Sequence, residues 1–273
     1  MSHDPALLAQ LLALLMVIGA FAGVLAGLLG VGGGILLVPA FFYAFTALGY
    51  AGPQLMQVCL ATSLATIVVT SMRSVQSHHR KGAVDWDILR GWALAIGVGA
   101  VIGVLVASML RSVILQGIFG VLGVLVGLYL AFGRAEWRLG AVMPKGPVRA
   151  VVGWFIGFLS VLMGIGGGSF AVPLLTLYGV PIHRAVGSAS GFGLLIALPA
   201  VVGFAFLSVE NPPPLSLGAV NLPGFGIVIA MTFLTAPLGA RLAHSMNPKP
   251  LKRFFALFIM VMALNMLRKA LGF

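Results

Sequence analysis

The sequence predicts an all-α polytopic membrane protein, and its composition and hydropathy are the observations that predict it. Of the 273 residues, 60% are hydrophobic and only 8% are charged, and the mean hydropathy is +1.13. Globular proteins carry about 25% charged residues. Apolar stretches long enough to cross a bilayer recur along the whole chain. We therefore expect one multi-pass membrane domain in the inner (cytoplasmic) membrane.

The chain is also predicted to be a duplication. The stretch AGVLAGLLGVGGGILLVP (22–39) aligns with IGFLSVLMGIGGGSFAVP (156–173), and GAVDW (82–86) aligns with GAVNL (218–222). Self-similarity at offsets of 134 and then 136 residues indicates two copies of one structural unit. We expect a first transmembrane repeat over 1–140 and a second over 141–273.

Each repeat is predicted to contain the same elements in the same order. A long helix, 7–29 or 148–163, leads into a glycine run, and a short apolar helix follows, 35–48 or 169–179. A helix rises 1.5 Å per residue, so the second of these short pieces cannot cross a core of about 30 Å and is expected to be re-entrant. Three spanning helices complete each repeat, for eight full spans and two short segments. They are 56–72, 90–110 and 114–133, with counterparts 186–207, 224–245 and 251–271.

Loop charge favours repeats that are inverted relative to each other. The chain has 16 Lys and Arg residues against 5 Asp and Glu, and cytoplasmic loops collect Lys and Arg. Inverted repeats with the N-terminus outside put thirteen of the 16 inside, whereas parallel repeats put ten there. Arg268 and Lys269 argue against inversion. The scattered basic residues indicate contact with membrane lipids and no nucleic-acid partner.

The two glycine runs form the candidate substrate site. Non-helical backbone at membrane depth is tolerated where it is buried in protein or lines a cavity, and paired breaks in a duplicated chain indicate a transporter's central site. Free N–H groups and the N-terminus of each short helix favour an anion. Pro39 and Pro173 are expected early in those helices, where a missing N–H costs least. The candidate glycines are Gly32, Gly33, Gly34, Gly166, Gly167 and Gly168.

Polar side chains near the breaks extend the candidate site, because hydroxyl and amide groups can donate hydrogen bonds to an anion. Each candidate also has a structural alternative. A helical Ser or Thr can bond its own backbone carbonyl, a glutamine can simply end a helix, and an arginine can snorkel to the inner surface. The candidates are Thr62, Ser63, Ser169, Ser188, Ser190, Gln57 and Arg241.

Residue types and motifs that the predicted helices lack argue against several other functions. No predicted helix carries a mid-membrane carboxylate of the kind common in proton-coupled carriers, so coupling through a buried Asp or Glu is not expected. Coupling to Na⁺ or H⁺ by other groups and uncoupled passage stay open. No metal-ligand spacing or P-loop occurs, and no cofactor is expected. An intramembrane enzyme would need a catalytic constellation that the helices do not offer. A membrane scaffold whose glycines serve helix packing, as the spacing of Gly99 and Gly103 suggests, is the other alternative.

The glycine motifs resemble those of the sulfite exporter TauE/SafE family over nearly the whole chain. GVLAGLLGVGGGILLVP and GFLSVLMGIGGGSFAVP, followed by ATSLAT and GSASGF, carry the resemblance. It implies a bacterial or plant membrane protein that moves sulfite or small organosulfonates such as sulfoacetate. This sequence departs from the family's GTS segment at Ala61, and its second copy has Ser188 and Ala189 in the places of Thr62 and Ser63. The matching positions are Gly30, Gly32, Gly33, Gly34, Pro39, Thr62, Ser63, Gly164, Gly166, Gly167, Gly168 and Pro173.

Together these observations predict a secondary transporter for a small oxyanion, working by alternating access at a midplane site between the two breaks. Sulfite and organosulfonates enter only through the family resemblance.

Overall fold

The computed structural model of the chain is almost entirely helical. It describes residues 5–29, 34–133, 137–140, 142–245 and 248–272. The helices in these ranges are α1 (Pro5–Leu29), α2 (Gly34–Ala47), α3 (Leu55–Arg80), α4 (Trp86–Met109), α5 (Ser112–Phe132), α6 (Gly146–Met163), α7 (Gly168–Leu177), α8 (Ile182–Ala205), α9 (Leu222–Ser245) and α10 (Pro248–Ala270). The predicted all-α architecture is therefore confirmed.

Five helices within the described ranges are long and apolar enough to cross a membrane: α3, α4, α5, α6 and α8. Within α1 and α9, the residues whose side chains the structure describes include the apolar stretches Leu12–Val24 and Leu222–Ala236. The expected total of eight spans therefore stays a prediction. The two short helices, α2 and α7, have 14 and 10 residues, as their sequences predict.

Helix α3 continues about two turns beyond its predicted end at residue 72. The extra segment is polar, and its last turn carries His78, His79 and Arg80. Basic side chains are favourable at a helix C-terminus because the unpaired carbonyls there carry partial negative charge. The helix stops before Gly82, whose φ of +64° turns the chain toward α4.

Helices from the two halves of the chain pack against each other. The principal pairs are α1 with α9, α4 with α6, α3 with α8, and α5 with α10. A Cβ built on Gly99 or Gly157 would collide with the main chain of the opposite helix in the α4–α6 pair. Small residues at such faces let two backbones approach closely. The glycines therefore set the distance between these two helices.

The turns between helices define two ends of the bundle. We call the end where α3 leads into α4, at Lys81–Asp85, the 81 end, and the end where α4 leads into α5, at Leu110–Arg111, the 111 end. Helices α4, α6 and α8 run from the 81 end to the 111 end, and α1, α3 and α9 run the opposite way. Helices α5 and α10 are antiparallel to each other.

These directions follow from the residues that meet along each pair of helices. In the α4–α6 and α4–α8 pairs, residue numbers increase together; in the α3–α8 pair, they run in opposite senses. Helix α4 makes the contacts Gly91–Arg149 and Gly103–Val161 with α6, and Leu89–Gly191 and Val104–Gly203 with α8. Helix α3 makes the contacts His78–Gly187 and Ser71–Gly193 with α8, and Thr62–Asn221 and Arg73–Phe233 with α9. The remaining contacts are Gly19–Val228 and Gly23–Thr232 between α1 and α9, and Gly117–Ala270 and Gly127–Met260 between α5 and α10.

A two-stranded hairpin precedes α9 at the 111 end. Strand β1 (Ser216–Leu217) pairs antiparallel with β2 (Val220–Asn221), and Gly218 between them has a φ of +55°. The Ala219 N–H donates to the carbonyl oxygen of Phe204 at 2.9 Å, so the hairpin is joined to the end of α8. The sequence predicts only helices, and this short sheet is an addition to that picture.

Candidate functional site

The second glycine run breaks the chain between α6 and α7. Gly164 ends α6 with a φ of +63°, and Gly167 precedes α7 with a φ of +73°. Both values lie in the left-handed region, which glycine adopts without steric cost. The chain then reverses, because α6 runs toward the 111 end whereas Leu177, the last residue of α7, accepts a hydrogen bond from Leu139 in the connection before α6. The second break is thus the point at which the chain turns back toward the 81 end.

The first glycine run meets the second at Gly34. Residues 30–33, which include the candidates Gly32 and Gly33, lie outside the described residues, but Gly34 is the buried first residue of α2. A Cβ built on Gly34 would lie 2.7 Å from Ile67 Cδ1, 3.1 Å from the Gly164 carbonyl oxygen and 3.3 Å from Ile165 Cα. The end of one break therefore lies directly against the other.

Ser63 joins the two breaks. Its side chain is fully buried, and Oγ donates to the Gly164 carbonyl at 2.8 Å while lying 3.4 Å from the Gly34 carbonyl. A buried hydroxyl that satisfies a buried carbonyl removes a desolvation penalty of about 1–3 kcal/mol. Ser63, a candidate from the sequence, is thus at the meeting point of the breaks.

One face of α3 and one face of α8 enclose this meeting point. Ile67, one turn after Ser63, packs against Gly34 and Gly166, and Gly193 of α8 lies against Gly166 and Ser71. Ile67, Ser71 and Gly193 did not stand out in the sequence. Ile67 and Ser71 follow Ser63 by four and eight residues along α3. This spacing, which places all three on the same helical face, is the signal that could have identified them.

The short helices direct their N-termini into this region. Gly168 and Ser169 begin α7, so their N–H groups have no carbonyl one turn earlier in the helix to bond. Gly168 is buried and Ser169 is half-buried. These N–H groups and the partial positive charge of the helix terminus provide an electrostatic environment suited to an anion.

The two prolines lie deeper in the short helices than the sequence predicts. Pro39 and Pro173 are each the sixth residue of their helix, beyond the first turn where a missing N–H has no consequence. Because proline cannot donate, the carbonyls of Ile35 and Ser169, four residues earlier, lose their usual helical partner. The expectation that these prolines sit where a missing N–H costs least is therefore wrong.

Three other candidate hydroxyls have partners within the protein. Thr62 Oγ1 donates to the Val58 carbonyl at 2.7 Å and accepts the Asn221 N–H at 3.0 Å. Ser188 Oγ accepts the Asp85 N–H at 3.0 Å, and Ser190 Oγ donates to the Gly187 carbonyl at 2.6 Å. The bond to Asp85 places Ser188 at the 81 end, away from the meeting point of the breaks. A ligand role for these three hydroxyls stays a prediction.

The last two candidates are Gln57 and Arg241. Gln57 is fully buried, and its amide Nε2 donates to the carbonyls of Ala107 and Leu110 at the 111 end. The bond ties the start of α3 to the end of α4. The side chain of Arg241 is outside the described part of the structure, so its role stays a prediction. Among the described residues, no three His, Cys, Asp or Glu side chains cluster as metal ligands would.

Ser160 of α6 is a polar residue at the second break that the sequence reading did not single out. It is fully buried, its Oγ has no hydrogen-bond partner in the described part of the chain, and this oxygen lies 3.6 Å from a Cβ position built on Gly167. The aligned position in the first repeat is Ala26. A polar residue facing an apolar one in the alignment of the two repeats is the signal that would have identified it.

The sequence of this chain is similar to those of known membrane proteins. The family model described as sulfite exporter TauE/SafE matches residues 15–266. A probable membrane transporter protein of Haemophilus influenzae is 36% identical, with 94% of this chain and 98% of the relative covered. A probable membrane transporter protein of Methanocaldococcus jannaschii is 27% identical, with 94% and 96% covered.

No solved structure matches the chain significantly. The names of the relatives indicate a transporter rather than an enzyme, and the apolar helices indicate a multi-pass membrane protein. The chain therefore belongs to the sulfite exporter TauE/SafE family.

Proposed function

We propose that this protein is a secondary transporter that moves small oxyanions, sulfite or small organosulfonates, across the cytoplasmic membrane. The observation that carries the proposal is the contact between the two glycine breaks, with Ser63 Oγ 2.8 Å from the Gly164 carbonyl and 3.4 Å from that of Gly34. Broken helices that meet inside a bundle are typical of transporter sites. The sulfur chemistry of the substrate comes from the family description.

An anion is the class of substrate that the backbone favours. Helix N-termini supply unpaired N–H groups and partial positive charge, and α7 begins at the meeting point with Gly168. Because water is excluded from this buried region, electrostatic interactions there are stronger than at the surface. A small oxyanion can accept several such hydrogen bonds at once.

The two repeats, 1–140 and 141–273, are proposed to be inverted. The directions of the helices support this, because α1, α3 and α4 run opposite to their counterparts α6, α8 and α9. The pairing supports it too, since the α1–α9 contact has its counterpart in the contact between α6 and α4. A two-fold relation that lies in the membrane plane produces both features.

The 81 end is proposed to be cytoplasmic. Among the described residues, the basic side chains at this end include Arg80, Lys81, Arg90, Lys145 and Arg184, and loops rich in Lys and Arg stay inside. The 111 end holds Arg111, Arg268 and Lys269.

One of the two basic residues that argue against inversion, Lys269, has a local explanation. Lys269 Nζ lies 4.5 Å from the ring centre of Tyr43 and 5.3 Å from that of Phe42. A cation over an aromatic face is attracted by the ring quadrupole, and the interaction contributes about 0.5–2 kcal/mol. The contact joins α10 to the re-entrant helix α2 at the 111 end, so Lys269 has a structural reason to lie outside.

Alternating access then follows from movement of one repeat against the other around the meeting point of the breaks. In this mechanism the glycine breaks carry the anion while the 81 end and the 111 end open in turn. The helix pairs that cross between the halves form the sliding surface.

Transport into liposomes tests the proposal. Purified protein is reconstituted, and uptake of labelled sulfite, sulfoacetate and sulfate is compared with uptake into empty vesicles, with and without imposed Na⁺ and H⁺ gradients. We expect saturable uptake of sulfite or the sulfonate that sulfate does not match. A gradient that accelerates uptake identifies the coupling ion. Uptake at the level of empty vesicles for all three anions would instead favour a scaffold protein whose glycines serve only packing.

A further inference from the structure

We propose that the anion binds asymmetrically, at the second glycine break, with Ser160 Oγ and the first N–H groups of α7 as its donors. The inference rests on the proposed function and assigns the site to one of the two breaks. It adds a ligand, Ser160, that the glycine motif does not contain.

Ser160 is a buried hydroxyl without a partner. Its side chain is 0% exposed, and Oγ makes no hydrogen bond within the described part of the chain. Burying a polar atom without a partner costs stability, and a helical serine normally avoids the cost by bonding the carbonyl one turn earlier. An unpaired oxygen at such a place is available to hydrogen-bond a ligand that enters the break.

The unpaired hydroxyl is directed at the start of α7. Oγ lies 3.6 Å from the position that a Cβ would take on Gly167, the residue that precedes α7. The N–H groups of Gly168 and Ser169 follow immediately and have no helical acceptor. The ten residues of α7 give this terminus the partial charge of a full helix end.

Gly167 keeps a side chain out of the space beside these donors. Its φ of +73° is one that side-chain-bearing residues rarely adopt, and a Cβ there would lie 2.5 Å from Ile196 Cδ1. Any other residue at this position would place carbon between Ser160 and the N-terminus of α7. The glycine therefore provides the backbone turn and lets Ser160 lie close to the start of α7.

The first repeat has a helix N-terminus at α2 but no equivalent of the Ser160 hydroxyl. Ala26 stands in the place of Ser160, and Ile35 stands in the place of Ser169. At these two aligned positions a hydroxyl is thus found only in the second repeat, although the glycine motif occurs in both. Two glycine breaks with one polar set predict a single anion per chain.

The donor set fits an oxyanion with at least two oxygens close together. A hydroxyl and successive backbone N–H groups suit a sulfite, a sulfonate or a carboxylate equally. Titrations with sulfite, methanesulfonate and acetate separate these chemistries, because they differ in charge and in the number of oxygens around the central atom.

The test compares Ser160→Ala with Ser108→Ala in the purified full-length protein. Ser108 lies on α4 and its Oγ donates to the carbonyl of Val104, one turn earlier in its own helix, so it controls for the loss of a helical hydroxyl. Binding of sulfite is measured by calorimetry, and thermal unfolding is measured without ligand. We expect Ser160→Ala to raise the sulfite Kd roughly tenfold at an unchanged or higher Tm, and Ser108→Ala to leave the Kd unchanged.

The outcomes separate this inference from the proposed function. If the wild-type protein binds sulfite and Ser160→Ala binds it equally well, the asymmetric site is wrong. The proposed transport function then stands, with the anion bound elsewhere in the breaks. A Tm that falls in Ser160→Ala without a change in Kd also overturns the inference, because it shows a structural role for the hydroxyl. If the wild-type protein binds none of the three anions, the proposed function itself fails.

Discussion

The hydroxyl of Thr62 accepts a hydrogen bond from the backbone N–H of Asn221 at 3.0 Å. The equivalent bond occurs at the opposite end of the bundle, where Ser188 Oγ accepts the N–H of Asp85 at 3.0 Å. In each case the hydroxyl belongs to one half of the chain and the loop to the other. Asp85 and Asn221 both cap the helix that follows, α4 or α9, with their side-chain oxygens.

Replacing Thr62 by valine is expected to destabilise the fold. Valine keeps the shape but removes the acceptor, so the buried Asn221 N–H is left without a partner at a cost of about 1–2 kcal/mol. The measurement is thermal unfolding in detergent. Thr46→Val is the control, because Thr46 Oγ1 only donates to the Phe42 carbonyl of its own helix. Equal stability of the two variants would contradict the role assigned to Thr62.

At Asp85, asparagine is expected to be tolerated and alanine is not. Asparagine keeps the oxygen that accepts from the N–H groups of Asp87 and Ile88, and Asn221 already serves this purpose in the second half. Alanine removes the cap, which costs about 1 kcal/mol. The ion pair with Arg184, 53% exposed, contributes less than about 1 kcal/mol. Chemical unfolding of Asp85→Asn, Asp85→Ala and Arg184→Gln distinguishes the cap from the charge, and an equal loss in all three would refute this division.

Gly164→Ala is expected to cost about 2–4 kcal/mol of folding free energy. The left-handed conformation costs about 1–2 kcal/mol for any residue with a Cβ, and the added carbon would lie 2.6 Å from Val38 Cγ2 and 3.1 Å from the main chain of Leu60. Gly179→Ala is the matched control, because Gly179 also has a positive φ, +83°, but has open space around it. The difference between the two variants measures the packing of the breaks. Equal losses of stability would show that this packing contributes nothing.

Accessibility of single cysteines is expected to reveal the inverted arrangement. We expect cysteines at Lys81 and His183 to react with an impermeant thiol reagent only from the cytoplasm, and cysteines at Arg111 and Leu271 only from outside. Cys59 is fully buried and gives little background. Parallel repeats predict the opposite side for residues 183 and 271, so these two positions decide the question.

The helices were predictable because the bilayer demands long apolar segments, and these are plain in the sequence. The polar last turns of α3 and the hairpin before α9 were not, since neither carries an apolar pattern. Individual contacts determine the structure of such segments. The hairpin depends on Gly218 and on the hydrogen bond from Ala219 to Phe204, and neither produces a periodic pattern in the sequence.

The glycine breaks of the candidate site were easier to predict from the sequence than its hydroxyl groups. Gly34, Gly164 and Ser63 meet in the structure. Thr62 and Ser188 stand out because they occupy aligned positions in the two repeats. Aligned hydroxyls can equally serve to bond a backbone N–H of the other half, as both do here. Ser160 did not stand out, because its aligned residue is Ala26 and a search for polar residues shared by both repeats passes over it.

The pairing of α1 with α9 has a consequence for biosynthesis. The face of α1 that carries Gly19 and Gly23 fits against Val228 and Thr232, which the ribosome makes only after most of the chain has entered the bilayer. Until then this face meets lipid or a temporary companion such as an insertion factor. The first helix to be made is thus among the last to find its place, and defects at Gly19 or Gly23 should appear as late assembly intermediates rather than as failed insertion.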